Sequence, residues 1–170
     1  MPSLPSPRLV FFGIAAVCAF SMAFAYYYLE LHLGLAVCPL CMTQRAFVVA
    51  LGVVAFIAAL HNPGQVGRRV YSLLCLLSAC VGGAVAARHI WLQNLPADQV
   101  PACGPSLEYM LDTLPFSETF TIVMMGDGNC ADVSWTLLGM TIPEQVLALF
   151  VVLGLACIWQ LLRGTSASAR

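Results

Sequence analysis

The sequence predicts an all-α membrane protein, a four-helix transmembrane bundle with a long second outer loop. Of its 170 residues, 61% are hydrophobic and 9% are charged, whereas about 25% of the residues of a soluble domain are charged. So few charges cannot cover a soluble globular fold, and four stretches each approach the ~20 residues that a helix needs to cross a bilayer. The net charge of −1 provides no basic surface for nucleic acid.

The four predicted spans make the whole chain, residues 1–170, one membrane domain. The first span carries no charge, the second has Arg45 within its first two turns, and the fourth opens with Pro143. Proline suits the first turn of a helix because no internal hydrogen bond is lost there. A short turn at 62–64 joins the second and third spans. The predicted bounds are about 9–29, 39–60, 70–91 and 143–162.

The arginines predict the orientation of the bundle. If the four spans alternate, five of the seven arginines fall on one side and all eight acidic residues fall towards the other. Arginine-rich loops stay in the cytoplasm, so both termini are predicted to be cytoplasmic. Ala23-Phe24-Ala25 after an apolar run also fits a cleaved signal peptide, but the run continues through Tyr26–Tyr28, as an interfacial aromatic belt would. The five arginines are Arg8, Arg68, Arg69, Arg163 and Arg170.

The second outer loop, about 93–142, carries six of the eight acidic residues and no arginine. Loops of this length are commonly functional. Ser117 and Glu118 are predicted to cap a short helix that ends near Met125, and a turn over 126–129 follows directly before Cys130. One apolar face of this helix is predicted to lie along the membrane surface. The residues of that face are Phe116, Phe120, Val123 and Met124.

The eight cysteines fall into two groups. Those within spans are predicted to pack as unreactive apolar side chains, because a thiol in apolar surroundings is inert. The four outer cysteines lie where disulfides persist, and they allow three pairings. Their spacing favours a Cys38–Cys41 pair, which leaves Cys103 and Cys130 to close the long loop. The cysteines within spans are Cys18, Cys75, Cys80 and Cys157.

Cys38 to Cys41 form a CxxC motif at the predicted start of the second span. Helix N-terminal N–H groups stabilise negative charge, and Arg45 follows Cys41 by one turn on the same face. Both features would stabilise a thiolate at Cys41, whereas the alternative for Arg45 is contact with lipid headgroups. Met42 in place of His excludes a c-type haem motif, and the absence of a four-ligand set predicts no bound metal.

Two dithiols on one side of a membrane predict an electron relay. A soluble dithiol donor would exchange with the loop pair, which the CxxC pair would then reoxidise. No flavin or haem motif is present, so a membrane quinone is the expected electron acceptor. Arg45 would stabilise negative charge on a quinone oxygen. His89, near the outer end of the third span, would hydrogen-bond the ring or handle protons; its alternative is an interfacial histidine bound to a backbone carbonyl.

Three local motifs carry a family resemblance: CPLCMTQR at 38–45, RHIWLQ at 88–93 and CADVSWTLLG at 130–139. They occur together with four spans, a CxxC that opens the second span, and two cysteines in the second outer loop. In this combination the chain resembles, over nearly its whole length, the DsbB family of bacterial membrane proteins that generate disulfides with a quinone.

The resemblance implies an enzyme of the bacterial inner membrane that reoxidises a periplasmic, DsbA-like thioredoxin-fold protein and uses ubiquinone or menaquinone as acceptor. Cys103 would form the mixed disulfide with that partner, and Cys130 would resolve it. Cys38 would exchange with the loop pair, and Cys41 would face the quinone. The residues implied at the quinone site are Arg45 and His89.

Two positions depart from the pattern of the family. Its members often have Glu immediately before the motif arginine, whereas this chain has Gln44. This change is expected to leave Arg45 without a neighbouring carboxylate. Arg88 beside His89 is expected to make the quinone site more cationic.

Three other interpretations stay open at this point. A vitamin K epoxide reductase-like protein also places a CxxC near a quinone, but its motif is expected late in the chain. A non-enzymatic scaffold with a disulfide-stapled outer loop explains Cys103 and Cys130 and predicts disulfides that resist reduction. A Cu(I)-handling protein would use soft Cys and Met ligands, but the methionines form no regular array.

Overall fold

The computed structural model describes residues 5–35, 37–96, 98–100, 107–126 and 128–166. Within these residues four helices are long and apolar enough to cross a membrane, which confirms the predicted all-α, four-helix membrane fold. The first of these, α1 (Pro7–Ala23), continues without a break into a π-helical segment (Phe24–His32). The other three are α2 (Pro39–His61), α3 (Gln65–Gln93) and α7 (Ile142–Ser166).

The connection between α2 and α3 is shorter than predicted. Helix α3 begins at Gln65, five residues before the expected start, so Arg68 belongs to its first turn. Asn62 ends α2 in the left-handed conformation with φ 44°, which Asn tolerates better than most residues. Gly64 then precedes the first residue of α3. The predicted turn at 62–64 is therefore the entire connection.

The helices are arranged around the bundle in the order α1, α2, α3 and α7. Helix α2 packs against both α1 and α3, and α3 packs along α7. At one end, which we call the terminal end, Gln160 Nε2 donates a hydrogen bond to the carbonyl of Pro7 at 2.9 Å. Arg163 donates another to the carbonyl of Pro5. These bonds join α1 to α7 there, whereas a cavity lies between the two helices at the opposite end, the loop end.

Small residues allow the helices to approach closely at the terminal end. Ala55, Ala58 and Ala59 of α2 are fully buried, and such side chains are typical of contacts between membrane helices. Further along the bundle towards the loop end, Gly82 of α3 also allows close approach, because a Cβ at this position would lie 2.3 Å from the ring of Phe150. The Phe150 ring therefore fits against α3 only where the side chain is absent.

The second outer loop folds onto the loop end. It contains a hairpin of strands β1 and β2, whose register pairs Thr136 with Thr141. Leu138 and Gly139 form its two-residue turn with φ values of 54° and 81°, as a type I′ turn requires. The elements of the loop are α4 (Leu107–Thr113), α5 (Phe116–Met125), α6 (Gly128–Ala131), β1 (Thr136–Leu137) and β2 (Met140–Thr141).

Helix α5 is the predicted short helix, but its cap and its orientation differ from the prediction. Its N-cap residue forms no side-chain hydrogen bond, so Ser117 does not cap it. Val123 is buried in a cluster with Leu40 and Leu92, whereas Phe120 remains exposed. The predicted common face along the membrane is therefore wrong for Val123. Packing on α2 and α3 buries this side chain more completely than an interfacial position would.

Gly126 brings the chain from α5 towards Cys130 and forms part of the predicted turn. Its φ is 78°, a conformation that favours glycine. A Cβ there would lie 2.3 Å from Cδ1 of Leu92, so the loop approaches α3 closely at this point. Asp127, also in the predicted turn, lies outside the described residues, and Gly128 already begins α6.

Candidate active site

The CxxC motif lies at the N-terminus of α2, at the loop end of the bundle. Cys38 is the N-cap residue, and its Sγ accepts a hydrogen bond from the backbone N–H of Cys41 at 3.3 Å. Pro39 occupies the first helical position, where it forfeits no internal hydrogen bond. The Cys38 sulfur thus takes the place of the oxygen in an ordinary N-cap. The dipole of α2 favours negative charge on this sulfur.

His89 of α3 reaches both sulfur atoms of the motif. Its Nε2 lies 3.9 Å from Cys38 Sγ, and its Nδ1 lies 3.9 Å from Cys41 Sγ. Nε2 also donates a hydrogen bond to the carbonyl of Cys130 at 2.9 Å. The amide N–H of Gln44 donates to Nδ1 at 3.0 Å. Because a carbonyl oxygen only accepts and the Gln44 amide nitrogen only donates, these partners match a ring with its proton on Nε2 and a lone pair on Nδ1.

These hydrogen bonds form a buried polar bridge from α2 through α3 to α6. The exposed fraction is 2% for Gln44, 2% for His89 and 0% for Cys130. An amide or an imidazole without a partner would be costly at such burial, so the bridge fixes α6 against α2 and α3. A backbone carbonyl as the partner of His89, the alternative named from the sequence, is therefore observed. Cys103, the predicted partner of Cys130, lies outside the described residues.

An apolar cavity of about 300 Å³ lies between the π-helical segment, α2 and α7 at the loop end. Polar groups on its wall include Cys41, Gln44 and Arg45, which lie together on the first turns of α2. A mostly apolar wall with a few convergent polar groups is typical of a small-molecule site. The apolar lining includes Phe24, Leu29, Val48, Ile142, Val146 and Leu149.

Arg45 forms an ion pair with Glu30 of the π-helical segment. The expectation that Gln44 leaves Arg45 without a carboxylate is therefore wrong, because the carboxylate comes from a different helix. Both residues line the apolar cavity, and the exposed fractions of their side chains are 21% and 22%. The pair thus presents a fixed guanidinium at the cavity wall.

Arg88 contacts α5 rather than the cavity. Its Nε donates to the carbonyl of Met124 and its Nη2 to the carbonyl of Met125, both at 3.3 Å. Its guanidinium also lies 4.1 Å from the centre of the Trp91 ring. A cation beside the last carbonyls of a helix is favourable. Contrary to expectation, Arg88 does not line the cavity and adds no charge to its wall.

Cys41 lies between the apolar cavity and a second, smaller pocket. This pocket measures about 40 Å³ and is lined by Cys38 and His89 together with residues next to Cys130. Cys41 lines both spaces, whereas Cys38 lines only the smaller of the two. One sulfur therefore faces the apolar cavity, and the other faces the segment that carries Cys130.

The cysteines within the spans have different surroundings. Cys18, Cys75 and Cys157 are buried in the apolar core of the terminal end. Cys80, five residues after Cys75, is exposed on the outside of the bundle. Apolar neighbours agree with the unreactive role predicted for these thiols.

Comparison with known proteins shows the family. Residues 7–160 match the family model described as "Disulfide bond formation protein DsbB". The "Disulfide bond formation protein B" of Stutzerimonas stutzeri is 48% identical over 164 residues, which cover 94% of this chain and 98% of that protein. The protein of the same name from Acinetobacter baylyi is 50% identical over 143 residues, 84% of this chain and 83% of that protein. The chain belongs to the DsbB family.

Six residues are predicted at this site: four cysteines, one arginine and one histidine. The structure describes five of them. Cys38, Cys41 and His89 lie together with the backbone of Cys130. Arg45 lies one turn further along α2, on the wall of the apolar cavity. The sixth residue is Cys103.

Sequence reasoning missed three further residues that lie at this candidate site. Glu30 is a lone acid at the end of the first span, and the presence of Arg45 near membrane depth could have indicated a pair. Gln44 was assessed only as a departure from the pattern of the family. Trp135 carries no signal of charge or spacing, yet it lines both spaces and lies 6.3 Å from the rings of Phe24 and Tyr28.

Proposed function

We propose that this DsbB-family protein is a protein-dithiol:quinone oxidoreductase that reoxidises a DsbA-like thioredoxin-fold protein. The observation that supports this most directly is the position of Cys41, whose side chain lines both the apolar cavity and the pocket beside Cys130. A thiol pair in this position connects a protein substrate on one side with a membrane-soluble acceptor on the other. The acceptor that we propose is ubiquinone or menaquinone from the membrane pool.

The cavity fits a quinone head group. Its volume of about 300 Å³ lies at the lower end of the range for ligand pockets, and its wall is mostly apolar, as a quinone ring and tail require. Arg45 and Gln44 would hold the polar oxygens, and Leu29, Val48 and Leu149 would contact the ring. A bound quinone supplies an acceptor for two electrons and two protons.

Within the Arg45–Glu30 pair, the guanidinium provides a positive charge at the cavity wall, where negative charge would develop on a quinone oxygen during reduction. A guanidinium held in place by a carboxylate needs little reorganisation to stabilise an oxyanion. Arg45 follows Cys41 by one turn of α2, so the same cation also stabilises a thiolate at Cys41. Glu30 is therefore proposed as a positioning residue for Arg45.

Thiol–disulfide exchange accounts for the remaining cysteines. In the proposed cycle, one thiolate of the partner attacks Cys103, which forms the mixed disulfide and releases Cys130 as a thiolate. The partner's second thiol then displaces Cys103, so the partner leaves oxidised and the loop pair is reduced. The Cys38–Cys41 disulfide then takes two electrons from the reduced loop pair, with Cys38 as the exchanging sulfur. His89 supports this transfer because it holds the backbone of Cys130 beside Cys38. Its contact with the quinone stays a prediction.

The bundle is proposed to lie in the bacterial inner membrane with both termini in the cytoplasm. Pro5 and Arg163 are in contact, so the two ends of the described chain share the terminal end. Arg8, Arg68 and Arg69 belong to helix turns at or near this end, and positively charged ends stay in the cytoplasm. The second outer loop then faces the periplasm.

The test is reduction of a quinone by the purified protein, driven by a reduced DsbA-like dithiol protein. The wild type is compared with Cys41→Ser and with Cys80→Ser, a matched cysteine on the outside of α3. We expect turnover in the wild type and in Cys80→Ser, and a loss of about 10³-fold or more in Cys41→Ser.

Two results would contradict the proposal. Equal turnover in the wild type and Cys41→Ser would remove Cys41 from the reaction. No turnover with either quinone, together with outer disulfides that resist mild reductant, would instead support the scaffold interpretation.

A further inference from the structure

The Cys38–Cys41 pair and His89 bring three metal-binding atoms together when the two thiols are reduced. One ligand atom from each residue can be chosen so that all three atoms lie within 4.8 Å of one another. Nε2 of His89 lies 3.9 Å from Cys38 Sγ, and Nδ1 lies 3.9 Å from Cys41 Sγ. Cys38 and His89 are buried, and Cys41 is partly buried.

These separations are close to those of a tetrahedral zinc centre. Zn–S bonds of about 2.3 Å and Zn–N bonds of about 2.0 Å place tetrahedral ligand atoms roughly 3.5–3.8 Å apart. The distance of 3.9 Å between Nδ1 of His89 and Cys41 Sγ therefore needs only a small contraction, and the reach to Cys38 is bounded by the 4.8 Å within which one ligand atom of each residue lies. The adjoining pocket of about 40 Å³ has room for one water molecule as a fourth ligand.

His89 already has the orientation of a metal ligand. Metal-binding histidines usually donate their second ring N–H to a carboxylate or a backbone carbonyl, which fixes the tautomer. Here Nε2 donates to the carbonyl of Cys130 at 2.9 Å. The lone pair of Nδ1 is directed towards α2, where it accepts from Gln44 and lies 3.9 Å from Cys41 Sγ. An incoming ion would displace only the Gln44 amide.

We propose that the reduced Cys38–Cys41 pair and Nδ1 of His89 form a binding site for Zn²⁺ that competes with disulfide exchange. On binding, both thiols lose their protons and coordinate the ion as thiolates, and no electrons are transferred. The oxidised pair has no thiolate to offer, so binding is restricted to the reduced state. The ion thereby holds the protein in its two-electron-reduced form.

The metal site follows from the geometry alone, whereas its inhibitory effect rests on the proposed function. The first experiment therefore measures binding without turnover. It uses the full chain with Cys103→Ala and Cys130→Ala, so that the loop pair cannot supply thiolates. The second substitution keeps the backbone carbonyl that accepts from His89. Co²⁺ serves as the probe, because tetrahedral thiolate coordination gives it intense visible absorption, and Zn²⁺ is then added to displace it.

We expect one Co²⁺ per reduced chain, release of two protons, and no absorption by the oxidised chain. His89→Ala should weaken binding by at least about tenfold, whereas His61→Ala and Cys75→Ser should bind as the parent does. Equal binding by His89→Ala would overturn the site, and so would equal binding by the oxidised chain.

The second experiment separates the metal site from the proposed function. Turnover of the wild type without added metal tests the oxidoreductase, and its loss at Zn²⁺ concentrations that saturate the site tests the inhibition. Co²⁺ binding without any turnover would leave the metal site intact and contradict the oxidoreductase. Normal turnover at saturating Zn²⁺ would contradict the inhibition.

Discussion

Two groups of buried cysteines in this protein differ in their neighbours rather than in their burial. Cys75 and Cys157 at the terminal end are fully buried in an apolar core. Cys130 at the loop end is equally buried, and Cys38 is 7% exposed. Among the buried cysteines that the structure describes, Cys38 and Cys130 are the ones that lie beside an imidazole, and Cys38 also accepts from a helix N–H group. We therefore expect the polar groups around a thiol, rather than its burial alone, to determine whether it reacts.

The two ends of the bundle also differ in how densely their helices pack. At the terminal end, Gln160 and Arg163 join α7 to the start of α1, and the fully buried Ala58 and Ala59 of α2 allow close packing. At the loop end, the π-helical segment and α7 are separated by the apolar cavity. Dense packing stabilises the bundle at one end, and the open space at the other end provides room for a ligand.

The largest expected effect compares one cysteine from each group. Cys38→Ser should lower turnover with the dithiol substrate by about 10³-fold or more, because the exchanging sulfur is lost. Cys157→Ser should leave turnover within about twofold but lower the melting temperature, because a hydroxyl is placed in an apolar core. Turnover assays and thermal unfolding of both variants check this. A large loss of turnover in Cys157→Ser would show that the terminal-end thiols take part in the reaction.

The next effect concerns the charge at the cavity. Arg45→Gln should slow quinone reduction by about 10²-fold, because the fixed cation is lost, while exchange with the dithiol protein changes little. Glu30→Gln should have a smaller effect, because the guanidinium stays but is held less firmly. Quinone reduction and exchange with the dithiol protein are measured separately for the two single variants and for the double variant. A double-mutant cycle then gives the coupling between Arg45 and Glu30. Equal loss in both half-reactions would contradict the assignment of Arg45 to the cavity.

A smaller effect is expected from the buried polar bridge. Gln44→Ala removes the donor to Nδ1 of His89 and should slow exchange between Cys38 and the loop pair by about tenfold. Gln44→Glu reverses the direction of this hydrogen bond, because a carboxylate only accepts. Nδ1 must then carry a proton as well as Nε2. Nitrogen NMR of labelled His89 reports the two states, and an unchanged spectrum in Gln44→Glu would contradict the bridge.

The smallest effects separate stability from function at two glycines. Gly82→Ala should destabilise the bundle by about 1–3 kcal/mol through overpacking against Phe150, with unchanged turnover per folded molecule. Gly126→Ala should alter the melting temperature less but reduce turnover several-fold, because φ 78° and the contact with Leu92 position the segment before Cys130. Thermal unfolding and turnover of both variants check this. The reverse pattern would show that the loop contributes more than the core to the stability of the bundle.

Much of the fold follows from local sequence, and less of the site does. Span length, the proline at the start of α2 and the glycine at 126 act through neighbouring residues, so the helices and the turn are predictable. The apolar spacing of α5 predicts a face towards the membrane, because nothing near Val123 in the sequence indicates the residues that bury it. Leu40 and Leu92, which bury Val123, come from two other helices.

Local sequence was enough to predict the four spans, the position of the CxxC at a helix N-terminus and the separation of the cysteines into two groups. Each depends on hydropathy and spacing over a few turns. The packing of the helices, by contrast, decided that Arg45 pairs with Glu30, 15 residues away. It also decided that His89 joins Gln44 to the carbonyl of Cys130, which lie 45 and 41 residues away from it. Such partners depend on how helices pack against one another, and local spacing carries no record of that packing.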